Sequence, residues 1–375
     1  MIFFQSAARP VRGARVAFAL ALALTLFGAL AWTPPLAMAA APGARIAHRA
    51  ATAEGSVPQA FEAGAPLMMD APLRSAAVTV EATFSAPLSA IPSARLEYTL
   101  LDQGRWRVPW TIPLKASADG DPYAFTGIIT FPLAGTWRVR QSLNWETTSC
   151  ASAWVTVTVA AHRVRGRIPA LMVGDSMAGM PGRALKSLLG GTAAALVVDY
   201  KSSSGVSRPD FFDWPNRVSQ QVRRMHPKVV VMMFGANDWQ NIKSQGRVCS
   251  RGTKAWDAAY ARRLGGMIDV ARAGDAVVYI VGQPIPGRSK GYARHMAHIN
   301  AISESEALKR NDVRYVSSWL LFATPAGRYS SSLRNASGRS VLMRSRDKIH
   351  FSGAGASRLA RYIRAQIQRD FGEFN

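Results

Sequence analysis

Residues 161–375, the C-terminal domain predicted from the sequence, alternate short apolar runs with patterns of helical period. The apolar runs lie at residues 170–174, 195–198, 229–234, 276–281 and 313–316, and each predicts a buried strand. Between residues 256 and 268, apolar side chains recur every three or four positions, which predicts one buried helix face. A last helix is predicted over residues 354–371. This alternation predicts an α/β fold, with a parallel sheet covered by helices on both faces.

Residues 76–160 instead alternate apolar and polar positions with a period of two. The runs cover residues 77–84, 96–100, 106–110, 123–131, 136–143 and 153–160, with turn residues between them. Six or seven short strands at this spacing predict a small antiparallel β-sandwich, which resembles an immunoglobulin-like module. Such modules serve as spacers or binding platforms, and we find no catalytic constellation in this stretch.

The first 39 residues have the layout of a secretory signal peptide. Three Arg residues precede an apolar run at 16–32, and small residues up to Ala39 form a cleavage site. We therefore predict cleavage near Ala39 and a periplasmic or secreted protein. The alternative is an N-terminal membrane anchor, because the run is at the lower edge of the roughly 17–25 residues that span a bilayer. Residues 40–75, rich in Ala, Pro and Gly, predict a flexible leader.

Composition and charge narrow the function classes. Of 375 residues, 48% are hydrophobic and 18% charged, which excludes a largely disordered chain. The formal net charge is +23, and removal of residues 1–39, with three Arg and no acid, leaves +20. Outside the cytoplasm this charge suits anionic lipid, lipopolysaccharide or acidic polysaccharide. The alternative is an Arg-rich genome with no binding role, and export disfavours nucleic acid as a partner.

The cysteines and histidines predict no metal site. Two cysteines exclude a disulfide scaffold and a multi-cysteine zinc site. Cys150 and Cys249 either form a disulfide in an oxidising compartment or remain separate thiols. His295 and His298 are three residues apart in a helical stretch, but no third ligand accompanies them, so a solvated helix face is favoured. We predict no cofactor.

Two short blocks follow the first two predicted strands of the C-terminal part. Ser176 comes directly after the strand that ends in Gly174, at a junction that exposes a nucleophile near a positive helix end. The alternative is an ordinary helix N-cap. Gly205 follows the second strand, where its backbone N–H could approach an oxyanion closely. The alternative for Gly205 is an ordinary turn.

Two further blocks complete the candidate chemistry. Asn237 follows the strongly apolar third strand, and its amide could donate to developing negative charge, or cap a helix. Asp347 and His350 are three residues apart just before the last helix. There, an aspartate could fix the histidine tautomer while the imidazole takes the serine proton. The alternative for this pair is a surface loop with a chance ion pair.

The order Ser, Gly, Asn, Asp-x-x-His over about residues 165–372 resembles the SGNH hydrolases, the GDSL-like superfamily. The runs 205–215 and 347–352 look like a bacterial exported subgroup of poorly known function. The resemblance implies a flavodoxin-like three-layer fold with Ser176 as nucleophile, His350 as general base and Asp347 as its orienting acid. It also implies an oxyanion hole made of the Ser176 and Gly205 backbone N–H groups and the Asn237 amide. Asp175 would hold the loop. Met177 replaces the Leu of the commoner family name, which places the chain outside the standard lipase-like group.

These features favour an exported serine esterase or O-acyltransferase that acts on O-acyl, and especially O-acetyl, groups of cell-envelope or extracellular polysaccharide. The substrate could also be a small ester, and a membrane acyltransferase is a candidate partner. The alternatives are lipase-like or thioesterase activity, and a non-catalytic envelope glycan-binding protein. Trp214, Trp239, Arg344 and Arg346 are candidate substrate-binding residues, with core packing and solvation as the alternatives.

Overall fold

The computed structural model describes residues 67–69, 75–81, 93–116, 124–145, 148–151, 153–161, 166–192 and 194–373. These residues form two compact units, divided between Ala160 and Ala161. The predicted signal peptide and most of the predicted leader lie outside the described residues. Among the residues that are described, no helix combines the length and the hydropathy needed to cross a membrane.

The first unit is built from strands. They are β1 (Leu67–Met69), β2 (Ser75–Glu81), β3 (Ser93–Asp102), β4 (Arg105–Trp106), β5 (Trp110–Pro113), β6 (Lys115–Ala116), β7 (Ala124–Thr130), β8 (Gly135–Trp145), β9 (Thr148–Ala151) and β10 (Val155–Val159). Seven of them form one sheet, in which β10, β8 and β3 are neighbours, and β2, β7 and β6 form a second. Tyr98, Phe131 and Trp137 pack together within this unit. The relation to immunoglobulin-like modules stays a prediction.

Two details of this unit differ from the sequence-based expectation. β1 falls within the predicted leader and pairs in parallel with β10. The strand expected over residues 106–110 is broken between β4 and β5. There the Arg107 side chain turns inward, is only 5% exposed, and donates to the Asp102 carboxylate. Pro109 also has no N–H to give to a ladder.

The second unit alternates strands and helices. Its elements are β11 (Ile168–Gly174), α1 (Ser176–Leu189), β12 (Ala194–Tyr200), α2 (Trp214–Met225), β13 (Val229–Met233), β14 (Ile242–Ser244), β15 (Arg247–Cys249), α3 (Lys254–Arg272), β16 (Val277–Val281), α4 (Lys290–Leu308), β17 (Val313–Val316), β18 (Ser332–Arg334), β19 (Ser340–Leu342) and α5 (Gly353–Phe371). Five strands form a parallel sheet in the order β12-β11-β13-β16-β17. The predicted α/β fold with a parallel sheet is therefore confirmed.

Helices cover both faces of this sheet. On one face, Leu171, Val230 and Val278 join the apolar sides of α2, α3 and α4 in one buried cluster. On the other face, α1 and α5 pack against each other and enclose side chains such as Leu185 and Ile367. Burial of each such side chain contributes about 1.5–3 kcal/mol of transfer free energy. The order of strands reverses direction beside β11, so the crevice at the carboxyl ends of β11 and β13 is where a ligand is expected.

Candidate active site

Ser176 is placed at this crevice by the junction between β11 and α1. Gly174 ends the strand, and a Cβ there would lie 2.2 Å from the Met233 carbonyl oxygen, so only glycine fits without a shift. Asp175 caps the helix, because its Oδ1 accepts the Met177 N–H at 2.8 Å. The serine therefore begins a 14-residue helix, where the positive end of the macrodipole lies.

Ser176, His350 and Asp347 form one chain of hydrogen bonds. The distance from Ser176 Oγ to His350 Nε2 is 2.7 Å, and that from His350 Nδ1 to Asp347 Oδ2 is 2.5 Å. A carboxylate accepts only, so Nδ1 carries the proton and Nε2 is free to accept the serine proton. The three residues come from the start of α1 and from the loop before α5, 174 residues apart.

Hydrogen bonds to the Asp347 carboxylate hold this loop in place and keep the group ionised. Its Oδ1 accepts the backbone N–H of Ile349 at 2.8 Å and that of His350 at 2.9 Å. Partial burial raises the pKa of Asp347, but the hydrogen bond from the His350 side chain and those from the two backbone N–H groups outweigh it and lower the pKa to about 2. Asp347 therefore carries its negative charge at neutral pH.

Arg344 stabilises the same loop, which carries Asp347 and His350, through hydrogen bonds to the backbone. Its side chain is 1% exposed and donates to the carbonyl oxygens of Ile285 and Ile349. The guanidinium also lies 5.2 Å from the Phe351 ring centroid. Burial lowers the pKa of Arg344 to about 10. This corrects the expectation that Arg344 contacts substrate, because its side chain is buried and its guanidinium donates to the backbone of the loop that carries His350.

Three candidate oxyanion donors lie at the ends of β11, β12 and β13. Among the described residues, no hydrogen bond engages the backbone N–H of Ser176 or that of Gly205. The Asn237 side-chain amide donates to the Ser204 carbonyl oxygen at 2.9 Å, and its second N–H remains a donor. Packing also favours glycine at position 205, because a Cβ there would lie 2.3 Å from Asp238 Oδ1.

Two fully buried carboxylates, of Asp175 and Asp238, tie these loops together. Asp175 Oδ2 accepts the Ala236 N–H at 3.0 Å, so one aspartate joins the nucleophile junction to the Asn237 loop. Burial raises the pKa of Asp175 to about 7, with the nearby Asp238 charge adding to the effect. Asp238 accepts the Ser207 N–H at 2.7 Å, and burial raises its pKa too. No role for Asp238 was predicted from sequence, although this residue directly follows Asn237.

The structure separates the aromatic candidates. Trp214 is fully buried, its Nε1–H donates to Ser204 Oγ at 2.8 Å, and its ring packs on Phe234. This corrects its assignment as a substrate-binding residue, because the ring has no surface left. Trp239 is 37% exposed, with the Arg251 guanidinium 3.5 Å over its ring. Arg346 is exposed.

The two histidines of α4 also differ from expectation. His295 is buried, against the solvated helix face that we expected, and its Nε2 lies 3.0 Å from the Asp238 carbonyl oxygen. Its ring packs edge-on against Trp239 and Trp256. His298 is exposed and pairs with Asp257 at 2.7 Å. The two therefore hold α4 against neighbouring elements. The side chain of Cys150 lies outside the described residues, so the disulfide with Cys249 stays a prediction.

A groove of about 250 Å³ opens beside Ser176 and His350. Its other lining residues are Gly179, Met180, Pro181, Arg183, Tyr200, Ser202 and Phe351. Arg183 and Tyr200 are not among the residues predicted from sequence, although Tyr200 is the last residue of β12 and pairs with Gly174 of β11. That position at a strand end is the signal that could have found it.

Several solved structures are similar to slightly more than half of this chain. An acetyl xylan esterase has 16% identity and a TM-score of 0.40, over 53% of this chain and 98% of its own. A GDSL-like lipase from Bacteroides thetaiotaomicron VPI-5482 has 13% identity and a TM-score of 0.39, over 53% and 87%. A mutant acetyl-xylooligosaccharide esterase from Geobacillus has 15% identity and a TM-score of 0.38, over 56% and 97%.

No curated protein matches the chain by sequence. Because the TM-scores are below 0.5, the inference of function rests on the site itself. Residues 169–366 match the family described as protein of unknown function, DUF459, and this match covers more than half of the chain. The chain therefore belongs to the DUF459 family.

Proposed function

We propose that this protein is an exported serine esterase that forms an acyl-enzyme on Ser176. The observation that carries the proposal is the unbroken chain of hydrogen bonds from Ser176 Oγ through the His350 imidazole to the Asp347 carboxylate. A hydroxyl that shares its proton with an oriented imidazole is an activated nucleophile. Its position at the first residue of α1 also leaves its own backbone N–H available to a developing oxyanion.

The reaction follows from these contacts. Ser176 Oγ attacks the ester carbonyl carbon while His350 Nε2 takes the hydroxyl proton, and Asp347 stabilises the imidazolium. The backbone N–H groups of Ser176 and Gly205, with the free amide N–H of Asn237, stabilise the tetrahedral oxyanion. Removal of one such donor typically costs about 10²–10³ in rate. The imidazolium then protonates the leaving alcohol, and the acyl-enzyme remains.

The second half of the reaction selects between two outcomes. Attack by water, with His350 again as base, releases the acid and completes ester hydrolysis. Attack by a sugar hydroxyl would instead transfer the acyl group. Both routes use the same residues, so we propose hydrolysis as the basal activity and acyl transfer as its variant when a sugar acceptor is bound.

The proposed substrate is an O-acetyl group on a cell-envelope or extracellular polysaccharide. Three observations support it: the signal-like N-terminal sequence, the strongly basic chain, and the small groove beside Ser176. A groove of about 250 Å³ is below the roughly 300–1,000 Å³ of sites for drug-sized ligands, so a long acyl chain is disfavoured. A series of esters from acetyl to dodecanoyl should therefore show the highest kcat/KM at acetyl.

The direct test is hydrolysis of a chromogenic acetyl ester by wild-type protein and by Ser176→Ala. We expect loss of turnover in the variant, with an unchanged circular-dichroism spectrum and melting temperature. Ser202→Ala is a matched control, because this hydroxyl lines the same groove outside the hydrogen-bonded chain. Equal activity of wild-type protein and Ser176→Ala would end the proposal.

A further inference from the structure

The groove beside Ser176 has one charged side chain in its wall that the proposed reaction does not use. Apart from His350, the lining residues are apolar or neutral, with the exception of Arg183. Arg183 extends from α1, two turns after the nucleophile, and it is exposed. No acidic residue lines the groove. An uncompensated cation therefore lies within the space where an ester would bind.

Arg183 is fastened in this position by Tyr200. Its Nη1–H donates to the Tyr200 hydroxyl at 2.9 Å, and the guanidinium carbon lies 5.6 Å from the ring centroid. Among the described residues, no carboxylate pairs with Arg183. A guanidinium has five N–H donors, so most of them remain for a ligand. Orientation by the tyrosine reduces the entropy that an anion-binding arginine would otherwise lose.

The position of Tyr200 is itself built into the fold. Tyr200 is the last residue of β12 and lies opposite Gly174 in the sheet, next to the strand that presents Ser176. Its ring lies against the first turns of α1, where a Cβ on Gly179 would come within 2.7 Å of the ring. Glycine at position 179 therefore leaves the space that the Tyr200 ring occupies when its hydroxyl bonds Arg183.

The loops beside the groove add further positive charge. Lys201 follows Tyr200 directly, and Arg346 and Lys348 flank the residue that orients His350; all three are exposed. Asp347 is the acid between them, and its carboxylate already accepts three hydrogen bonds. The field at the mouth of the groove is therefore positive, which attracts anions and orients them toward Arg183.

We propose that Arg183, held by Tyr200, is a specificity-determining residue that selects esters bearing an anionic group close to the scissile bond. Guanidinium recognises carboxylate and phosphate through charge-assisted hydrogen bonds, so the substrate class is an O-acetylated acidic sugar. This inference rests on the proposed esterase function. It narrows the substrate from polysaccharide in general to acidic polysaccharide, with the carboxylate or phosphate on the alcohol side of the ester.

The test uses three aryl acetates that differ only in the para substituent: the methyl ester of acetoxybenzoate, acetoxybenzoate itself, and acetoxyphenyl phosphate. For each substrate, kcat/KM of Arg183→Gln is divided by that of wild-type protein, which cancels the difference in leaving group. We expect at least a tenfold loss of kcat/KM for the anionic substrates, mainly through KM, because the substitution removes a hydrogen bond between two charged groups. The neutral ester should change less than about twofold.

Two control variants distinguish direct recognition of the anion by Arg183 from a general effect of the protein's net charge. Lys186→Gln removes one positive charge from the same helix, one turn further on and outside the groove, and should leave all three ratios near one. Tyr200→Phe keeps the ring but removes the hydroxyl that holds Arg183, and should weaken selection of the anionic esters partially. Comparison of the Arg183→Gln to wild-type ratios for acetoxybenzoate and for acetoxyphenyl phosphate shows whether the site prefers carboxylate or phosphate.

Two outcomes would overturn the inference: equal losses on neutral and anionic esters, or no loss in Arg183→Gln. A failure of the esterase proposal looks different, because wild-type protein would hydrolyse none of the three esters. Calorimetric binding of para-hydroxybenzoate and its methyl ester to Ser176→Ala then decides the recognition question alone. Tighter binding of the anion, lost on adding Arg183→Gln, supports the inference; equal binding of both compounds contradicts it.

Discussion

Replacement of Asp175 by asparagine should change how stability depends on pH. The Asp175 carboxylate is fully buried, and burial raises its pKa from the usual value near 4 to about 7. Because the folded-state pKa is raised, the protonated form favours folding below pH 4, and this contribution is lost as pH rises through 7. A change from about 4 to about 7 corresponds to roughly 4 kcal/mol of unfolding free energy.

Asparagine cannot ionise, but it cannot satisfy both hydrogen-bond donors either. In wild-type protein, one side-chain oxygen of Asp175 accepts the Met177 N–H and the other accepts the Ala236 N–H. When the group is protonated at pH 4.5, its hydroxyl oxygen keeps acceptor capacity, whereas the amide nitrogen of asparagine only donates. The amide group of asparagine would turn its own N–H toward one of these donors, at a cost of about 1–3 kcal/mol. We therefore expect Asp175→Asn to be less stable than wild-type protein at pH 4.5 and to match or exceed it at pH 8.5.

The assay is urea unfolding at both pH values, followed by circular dichroism and tryptophan fluorescence. Asp210→Asn is the control, because Asp210 is an exposed carboxylate whose pKa is lowered by its hydrogen bonds from Arg208. That control variant should show no gain relative to wild-type protein at high pH. A difference between wild-type protein and Asp175→Asn that stays constant from pH 4.5 to 8.5 would refute the argument from burial.

Further substitutions test other contacts. Asp347→Asn should lower kcat by about 10⁴ with little change in KM. The amide N–H of asparagine would face His350 Nδ1, so the proton would move to Nε2, which could then no longer accept the serine proton. Steady-state kinetics on an acetyl ester checks this. Gly355→Ala should destabilise the fold by about 1–3 kcal/mol in urea unfolding, because a Cβ would lie 2.0 Å from a carbonyl oxygen, whereas Gly353→Ala, in open space in the same turn, should not. Asp370→Asn should lower the free energy of unfolding by about 3–5 kcal/mol, because it removes the buried carboxylate whose Oδ1 lies 2.5 Å from Arg314 Nη2 in wild-type protein. The melting temperature reports this loss of stability.

The parallel sheet could be predicted because its inner strands β11, β13 and β16 are almost wholly buried and form nearly continuous apolar runs. Such runs stand out in sequence, as does the period of α3. The short hairpins β14–β15 and β18–β19 could not be predicted, since they are half-exposed and only three residues long per strand.

The residues of the candidate site could be listed from sequence because each follows a strand or precedes a helix. Burial was the part that sequence could not supply. Arg344 looks like a surface arginine, yet it is buried and donates to the carbonyl oxygens of Ile285 and of Ile349 in its own loop. Trp214 follows a loop-like stretch of sequence, but it is the first residue of α2 and its ring is part of the buried core. Arg183 and Tyr200 meet only through the parallel register of β11 and β12.

The central claim is that Ser176 is an activated nucleophile, and covalent labelling tests it most directly. Folded protein is treated with a fluorophosphonate, and the adduct is located by mass spectrometry of peptides. We predict one adduct, on Ser176, that is absent in Ser176→Ala and forms at least a hundredfold more slowly in His350→Ala. Folded protein that takes up no label, or that is labelled equally fast without the imidazole of His350, would contradict the account.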